Sequence, residues 1–330
     1  MKDLMKKLTE AYGPSGNEEQ IRDLIRGEVE PLADEVRVDT LGNLIAVKKG
    51  SGGGKRVMLA AHMDEIGLII SYVDKKGFLR AQPIGGVDLT TLVGGRVVFS
   101  DGAIGVIAPE DRQGYRKEAD LSKLYIDVGA TSYEEAKHRL GQATGFVRPF
   151  ADLGQRVVAK AFDDRIGCVV LIEALRTLRD TPHEVSFVFS VQEEVGLRGA
   201  RTGAYGLDPE IGIAVDITPA ADMPEAPKLA MVLGDGPCIK VKDSGMLAHP
   251  GVKDLLIDTA EANQIPYQLE VLDRGSTDAA VIQLARSGVP AGCVSIACRY
   301  YHTPSEMVDV ADVENAVQLL TALLEQPIEL

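Results

Sequence analysis

Apolar positions along this chain switch between helical and strand spacing, and the switches divide it into three stretches. The first opens on MKDLMKKLTEAYG, where apolar and charged residues recur at helical intervals. A second helical pattern, EEQIRDLIRGEVEPLA, follows Ser15 and Glu18, which have the spacing of a capping box. EVRVD and NLIAVKK, separated by a turn at LGN, predict a β-hairpin. Beyond the glycine-rich GSGGGK, the run RVMLAAHMD predicts a buried strand that ends in polar residues.

From about residue 71 to 155 the pattern changes to glycine and short β-type runs such as GRVVFS, AIGVIA and LYIDVGA. Only SYEEAKHRL reads as helix there. These features predict a small β-rich domain, 71–155, inserted between two halves of a main domain, 1–70 and 156–330. The second half alternates. RIGCVVLIEALRTLRD, HPGVKDLLIDTAEANQ, TDAAVIQLARSG and VADVENAVQLLTALLEQ predict helices. EVSFVFSVQEE, GIAVDI, YQLEVL and AGCVSIAC predict strands. Such alternation implies an α/β sheet covered by helices on both faces.

Composition narrows the function. A chain of 330 residues that is 45% apolar can form one large domain with an insert. No apolar run approaches the roughly 18 residues of a membrane helix. The N-terminus lacks the apolar centre of a secretory signal, so neither a membrane span nor export is expected. The net charge of -14 repels phosphate backbones and argues against nucleic acid as a partner. It suits cationic substrates, and equally plain solubility. The cysteines Cys168, Cys238, Cys293 and Cys298 form no CxxC pair and are expected as buried free thiols in a reducing, cytoplasmic compartment.

Four polar clusters stand where predicted strands end, the place where open α/β sheets gather ligands. In His62-Met63-Asp64, residues two apart in extended chain share a side, so Asp64 can reach the His62 imidazole. Asp163-Asp164 opens a helix, where acidic residues also serve as ordinary N-terminal caps. Glu193-Glu194 ends an apolar strand, where adjacent carboxylates are costly without a cation, although a solvated loop start would also accept them. Asp216 and His302 follow two further strands. Two histidines and three carboxylates suit a pair of divalent ions such as zinc, cobalt or manganese. His138 and His249 stand in poorer settings for ligands, and His183 precedes its strand.

The stretches AHMDEIG, AFDDRIG, SVQEEVGLRGA, VDI and RYYHTPSEMV occur together, in order, over nearly the whole chain. In this the sequence resembles the di-metal aminopeptidases of the tetrahedral-particle type, a family that includes glutamyl aminopeptidases and proteins labelled cellulase M. The resemblance implies the mixed sheet of the zinc peptidases and two divalent ions per subunit, zinc or cobalt first and manganese next. It implies that His62 and Asp216 hold one ion, Glu194 and His302 the other, and that Asp163 bridges them. Glu193 would be the general base and Asp64 would orient His62. The Asp163-Asp164 bond is expected to be cis. Peptide substrates and a homo-oligomer, from dimer to tetrahedral dodecamer assembled through the insert, are implied likewise. DRGSTDAA is similar to a family segment near the site, so Ser276, Thr277 and Asp278 line the pocket or cap the next helix.

Two other activities compete. A glycoside hydrolase needs two carboxylates flanking a sugar bond and favours aromatic platforms; this chain has no tryptophan and 5% aromatics. An N-acyl amino acid deacylase would use the same metal centre.

Overall fold

The computed structural model describes residues 1–330. Four strands form the parallel centre of a mixed eleven-stranded sheet, in the order Glu184–Ser190, Arg56–His62, Ile211–Pro219 and Ala291–Arg299. The predicted hairpin, Glu35–Val38 with Leu44–Lys48, joins antiparallel at one side of this centre. Glu306–Asp309, Arg156–Ala159 and Ala151–Asp152 extend the sheet antiparallel at the other. The central strands read as unbroken apolar runs because both of their faces are covered. Val57, Leu59, Ala61, Val185, Phe187 and Phe189 point into the larger core. Met58, Ala60 and Val188 point into a second core on the opposite face.

Helices Lys2–Glu10, Glu19–Val29, Phe162–Thr177, Pro250–Ala262 and Val310–Leu324 cover the first face. Arg198–Leu207 and the short Ala279–Ile282 cover the second. Between Gly67 and Phe146 the chain leaves the sheet and closes a six-stranded barrel around its own fifteen-residue core.

Two local expectations are corrected, and one helix was not expected. Ser15 and Glu18 form no capping box. The helix starts at Glu19 with Glu18 as N-cap and no side-chain cap bond, because Ser15 Oγ donates to Asp64 and Glu18 Oε1 accepts from Gly16 N and Gln192 N instead. The helix expected across TDAAVIQLARSG is only Ala279–Ile282. Its continuation tightens into i→i−3 bonds, Leu284 N to Val281 O and Ala285 N to Ile282 O, before the next strand at Ala291. Helix Arg198–Leu207 is hidden in sequence by its glycines. Gly199 is required because a Cβ there would stand 2.3 Å from Asn43 Oδ1 and 2.5 Å from the Val191 backbone.

The N-terminal segment is fastened where the sheet gives way to the barrel. Glu65 accepts from Lys160 Nζ at 2.6 Å and from Gly13 N at 3.1 Å, with Arg165 Nη2 at 3.7 Å. Arg165 is fully buried and donates to Leu8 O and Gly13 O. Burial pulls the Lys160 pKa down, against the pull of Glu65. A buried charge that loses its partner is costly. Lys160→Met is therefore expected to destabilise the fold by about 3–5 kcal/mol in urea denaturation. A loss near zero would show that Arg165 alone satisfies Glu65.

Candidate metal centre

The parallel strands bring the polar clusters to one level. Ser190 pairs in register with His62, and Ala214 with Ala60, so the residues just beyond these strands converge. His62 Nε2 lies 3.0 Å from Asp163 Oδ1, and His302 Nε2 lies 3.3 Å from Asp163 Oδ2. Each oxygen of this one carboxylate therefore faces a different imidazole. Glu194 Oε2 is 3.7 Å from His302 Nε2, and Glu193 Oε2 is 3.8 Å from His62 Nε2. Donor atoms of His62, Asp163 and Glu194 lie within 4.8 Å of one another, as do those of His62, Asp164 and Asp216. A cavity of about 380 Å³ opens onto the cluster, lined by Asp163, Glu193, Glu194, Asp216 and His302.

Behind this cavity Asp64 is fully buried. Its Oδ1 is 3.5 Å from His62 Nδ1, while its own backbone carbonyl is nearer, at 3.1 Å. Both the main chain and the carboxylate of Asp64 therefore stand beside this ring nitrogen. The Asp64 carboxylate accepts from the backbone N–H groups of Glu193 and Glu194 and from Ser15 Oγ at 2.6 Å. Glu18 Oε1 accepts from Gly16 N and Gln192 N on the same side. The Asp163-Asp164 peptide is cis. Asp164 accepts from His62 N at 3.1 Å and from Gly167 N at 2.9 Å, so backbone groups already occupy its oxygens. Asp216 Oδ1 accepts from Ile217 N.

Sequence reasoning missed Glu306. It accepts from Asp163 N and from His302 N, both at 3.0 Å, and so fixes the backbones of two cluster residues from one buried carboxylate. The only signal was a carboxylate beginning a short apolar strand. Gln192, Tyr300 and His302 hold left-handed backbone at φ of 56°, 61° and 58°, a strained state for residues other than glycine that concentrates at functional sites. The barrel also reaches the cluster: a Cβ on Gly86 would stand 2.6 Å from His302 Nδ1. Ser276 and Thr277 line the cavity. Asp278 stands at the start of its helix without a cap bond and accepts from Ser190 Oγ instead. The His183 ring joins Lys55 N and Gln326 O, away from the cluster.

Burial and crowding press most of the cluster's carboxylates toward their neutral forms. Burial pushes Glu194 up to about 8, with Asp163 adding to the push. Burial also raises Glu193 and Asp216 well above the usual carboxylate range. Burial depresses His302, but Asp163 and Glu194 outweigh it and lift the ring to about 10. Asp163 goes the other way: burial raises it, and the two imidazoles overcome this and hold it ionised. Glu194 Oε1 is buried with no hydrogen-bond partner. Crowded carboxylates with an orphaned oxygen beside two imidazoles form a donor set that fits divalent cations.

A model of the M42 glutamyl aminopeptidase family matches residues 42–319. A putative aminopeptidase of Acetivibrio thermocellus is 48% identical over 322 residues, covering 97% of each chain. The solved aminopeptidase of the archaeon Desulfurococcus kamchatkensis is 44% identical, with a TM-score of 0.95 over 99% of this chain and 94% of that one. The Pyrococcus horikoshii TET1 peptidase, which can assemble into a tetrahedron or a large octahedral shell, is 33% identical, with a TM-score of 0.86 over 98% of this chain and 99% of that one.

Proposed function

The chain belongs to the M42 glutamyl aminopeptidase family, and from that premise we propose that it removes N-terminal residues from peptides with two divalent cations. The observation that carries this reading is Asp163, one oxygen toward His62 and the other toward His302. His62 and Asp216 would hold one ion and Glu194 and His302 the other, with Asp163 contributing to both. Zinc or cobalt suits this set first, and manganese next. When bound, such a pair polarises a carbonyl and lowers the pKa of a coordinated water toward 7.

The chain's own residues do the rest. Glu193 Oε2 takes the proton of the attacking water and delivers it to the departing amine. Asp64 holds the backbones of Glu193 and Glu194, which keeps base and ligand at fixed spacing. Glu306 does the same for Asp163 and His302. The endoglucanase and deacylase readings find less support. Imidazoles stand among the carboxylates, and the family is one of peptidases. The test is a panel of amino-acid arylamides offered to protein loaded with zinc, cobalt or manganese, beside N-acyl amino acids and a β-glucan. Arylamide hydrolysis that chelator abolishes is expected. Cleavage of glucan or acyl substrates alone would overturn the reading.

A cytoplasmic setting suits the four buried, unpaired cysteines. The barrel, 67–146, is read as an assembly domain. It exposes Ile69, Tyr72, Ile104 and Val106, apolar side chains that a subunit contact would cover. The particle mass is expected as a multiple of 35.4 kDa, from dimer to dodecamer. Ile104→Lys with Val106→Lys is expected to shift light scattering toward smaller species. A wild-type monomer would refute the assembly role.

A further inference from the structure

Next to the metal pocket lies a second, larger cavity of about 1220 Å³. Pro219, Leu272, Arg274 and Tyr301 line both, so the two spaces adjoin. The larger one has an apolar floor that includes Leu229 and Met307. Apolar side chains also stand open at its rim: Val271 is 56% exposed and Tyr300 47%. Its charge runs against that of the molecule. Arg148, Lys228, Lys242 and Arg274 face Asp88 and Asp273 there, in a chain with 49 acidic and 35 basic residues. Arg274 pairs only with its neighbour Asp273. Lys242 Nζ reaches two backbone carbonyls, Asp243 O and Leu272 O, and Arg148 only the carbonyl of Val147. Neither meets a carboxylate, and Lys228 has no partner.

An apolar trough with unmatched cations, opening from the place where a peptide bond is cut, fits one kind of occupant. Resting on the aminopeptidase reading above, we infer that this cleft binds the part of a peptide beyond the scissile bond, favouring apolar side chains and a free C-terminal carboxylate. The sizes assign the direction. The 380 Å³ pocket, lined by the metal-centre side chains, is assigned to the first residue and its amine, and the wider adjoining space to the remainder of the chain. The enzyme then selects short peptides by their downstream residues as well as by the first one.

The experiment compares tetrapeptides that share the first residue preferred in the arylamide panel, followed by Ala-Leu-Leu, by Ala-Asn-Asn, or by Ala-Leu-Leu amide. The free-acid leucine peptide is expected to exceed the asparagine peptide about tenfold in kcat/KM, the effect of modest apolar burial. It is expected to exceed its own amide about threefold, as for a partly exposed ion pair. Val271→Asp is expected to erase the leucine advantage while arylamide hydrolysis stays at the wild-type rate. Equal kcat/KM in either comparison overturns the inference. So does a Val271→Asp enzyme whose preference for the first residue changes instead, since that would put the first side chain in the cleft. A wild-type enzyme that cleaves no arylamide and no peptide would fail the aminopeptidase reading itself, which is a separate outcome.

Discussion

Glu193→Gln is expected to lower turnover by about 10²–10⁴-fold, the usual contribution of a positioned acid–base group, while metal content stays at the wild-type level. The reason lies in how the two adjacent glutamates are placed. Glu194 Oε2 faces His302, and Glu193 Oε2 faces His62 from the cavity side. Both backbones are clamped by the one carboxylate of Asp64, so glutamine at 193 can keep the same chain path. Glutamine conserves volume and hydrogen bonding but cannot accept a proton at neutral pH. A ligand would respond differently: Glu194→Gln is expected to reduce bound metal. Metal analysis by emission spectrometry beside leucyl-arylamide kinetics separates the two. A Glu193→Gln protein that turns over normally, or that loses metal, removes Glu193 from the role of base.

Much of the fold can be read from sequence because the central strands are buried on both faces. VMLAA, FVF and IAV are apolar cores of these strands, and charged or polar residues gather close after each, near the sheet's carboxyl edge. That is why His62, Glu193, Glu194, Asp216 and His302 stand out. Asp163 is less legible, since acids at a helix start are commonplace. Only the structure shows its oxygens turned to two imidazoles. Ser15 and Glu18 misled for a physical reason. Their spacing suits a capping box, but Asp64 and the backbone of Gln192, distant in sequence, compete for the same side chains and win. Glu306 was silent because its task is to accept two backbone N–H groups, which leaves no pattern of residue types. The barrel's closure was equally silent: short strands show β structure, while closure depends on pairing Gly67–Val73 and Arg96–Phe99 with Ala143–Phe146 across distant sequence.

Removing the metal ions is expected to abolish arylamide hydrolysis and to give the protein a stability that falls as pH rises. The sign follows from the groups around the centre. Glu194 holds its proton up to about pH 8 in the metal-free fold but releases it near the usual carboxylate value when unfolded. His302 keeps its proton to about 10, against about 6.5 in the unfolded chain. Between roughly pH 5 and 10 the native state therefore binds more protons than the unfolded one, and stability declines with pH. Asp163 acts in the opposite sense only in strong acid, where its lowered pKa separates from the unfolded value. Divalent ions held here would reverse this preference, because metals take deprotonated carboxylates and neutral imidazoles. They replace protons as the charge that neutralises the cluster. Zinc added to chelator-treated protein is expected to raise Tm more at pH 8 than at pH 5.5. Asp163→Asn, which removes the shared carboxylate, is expected to shrink that rise at both pH values and to lower stoichiometry for both ions. Calorimetry across the pH range decides the matter. A metal-free Tm that climbs with pH, or a zinc effect that is the same at both values, would mean that these carboxylates and imidazoles do not hold the ions.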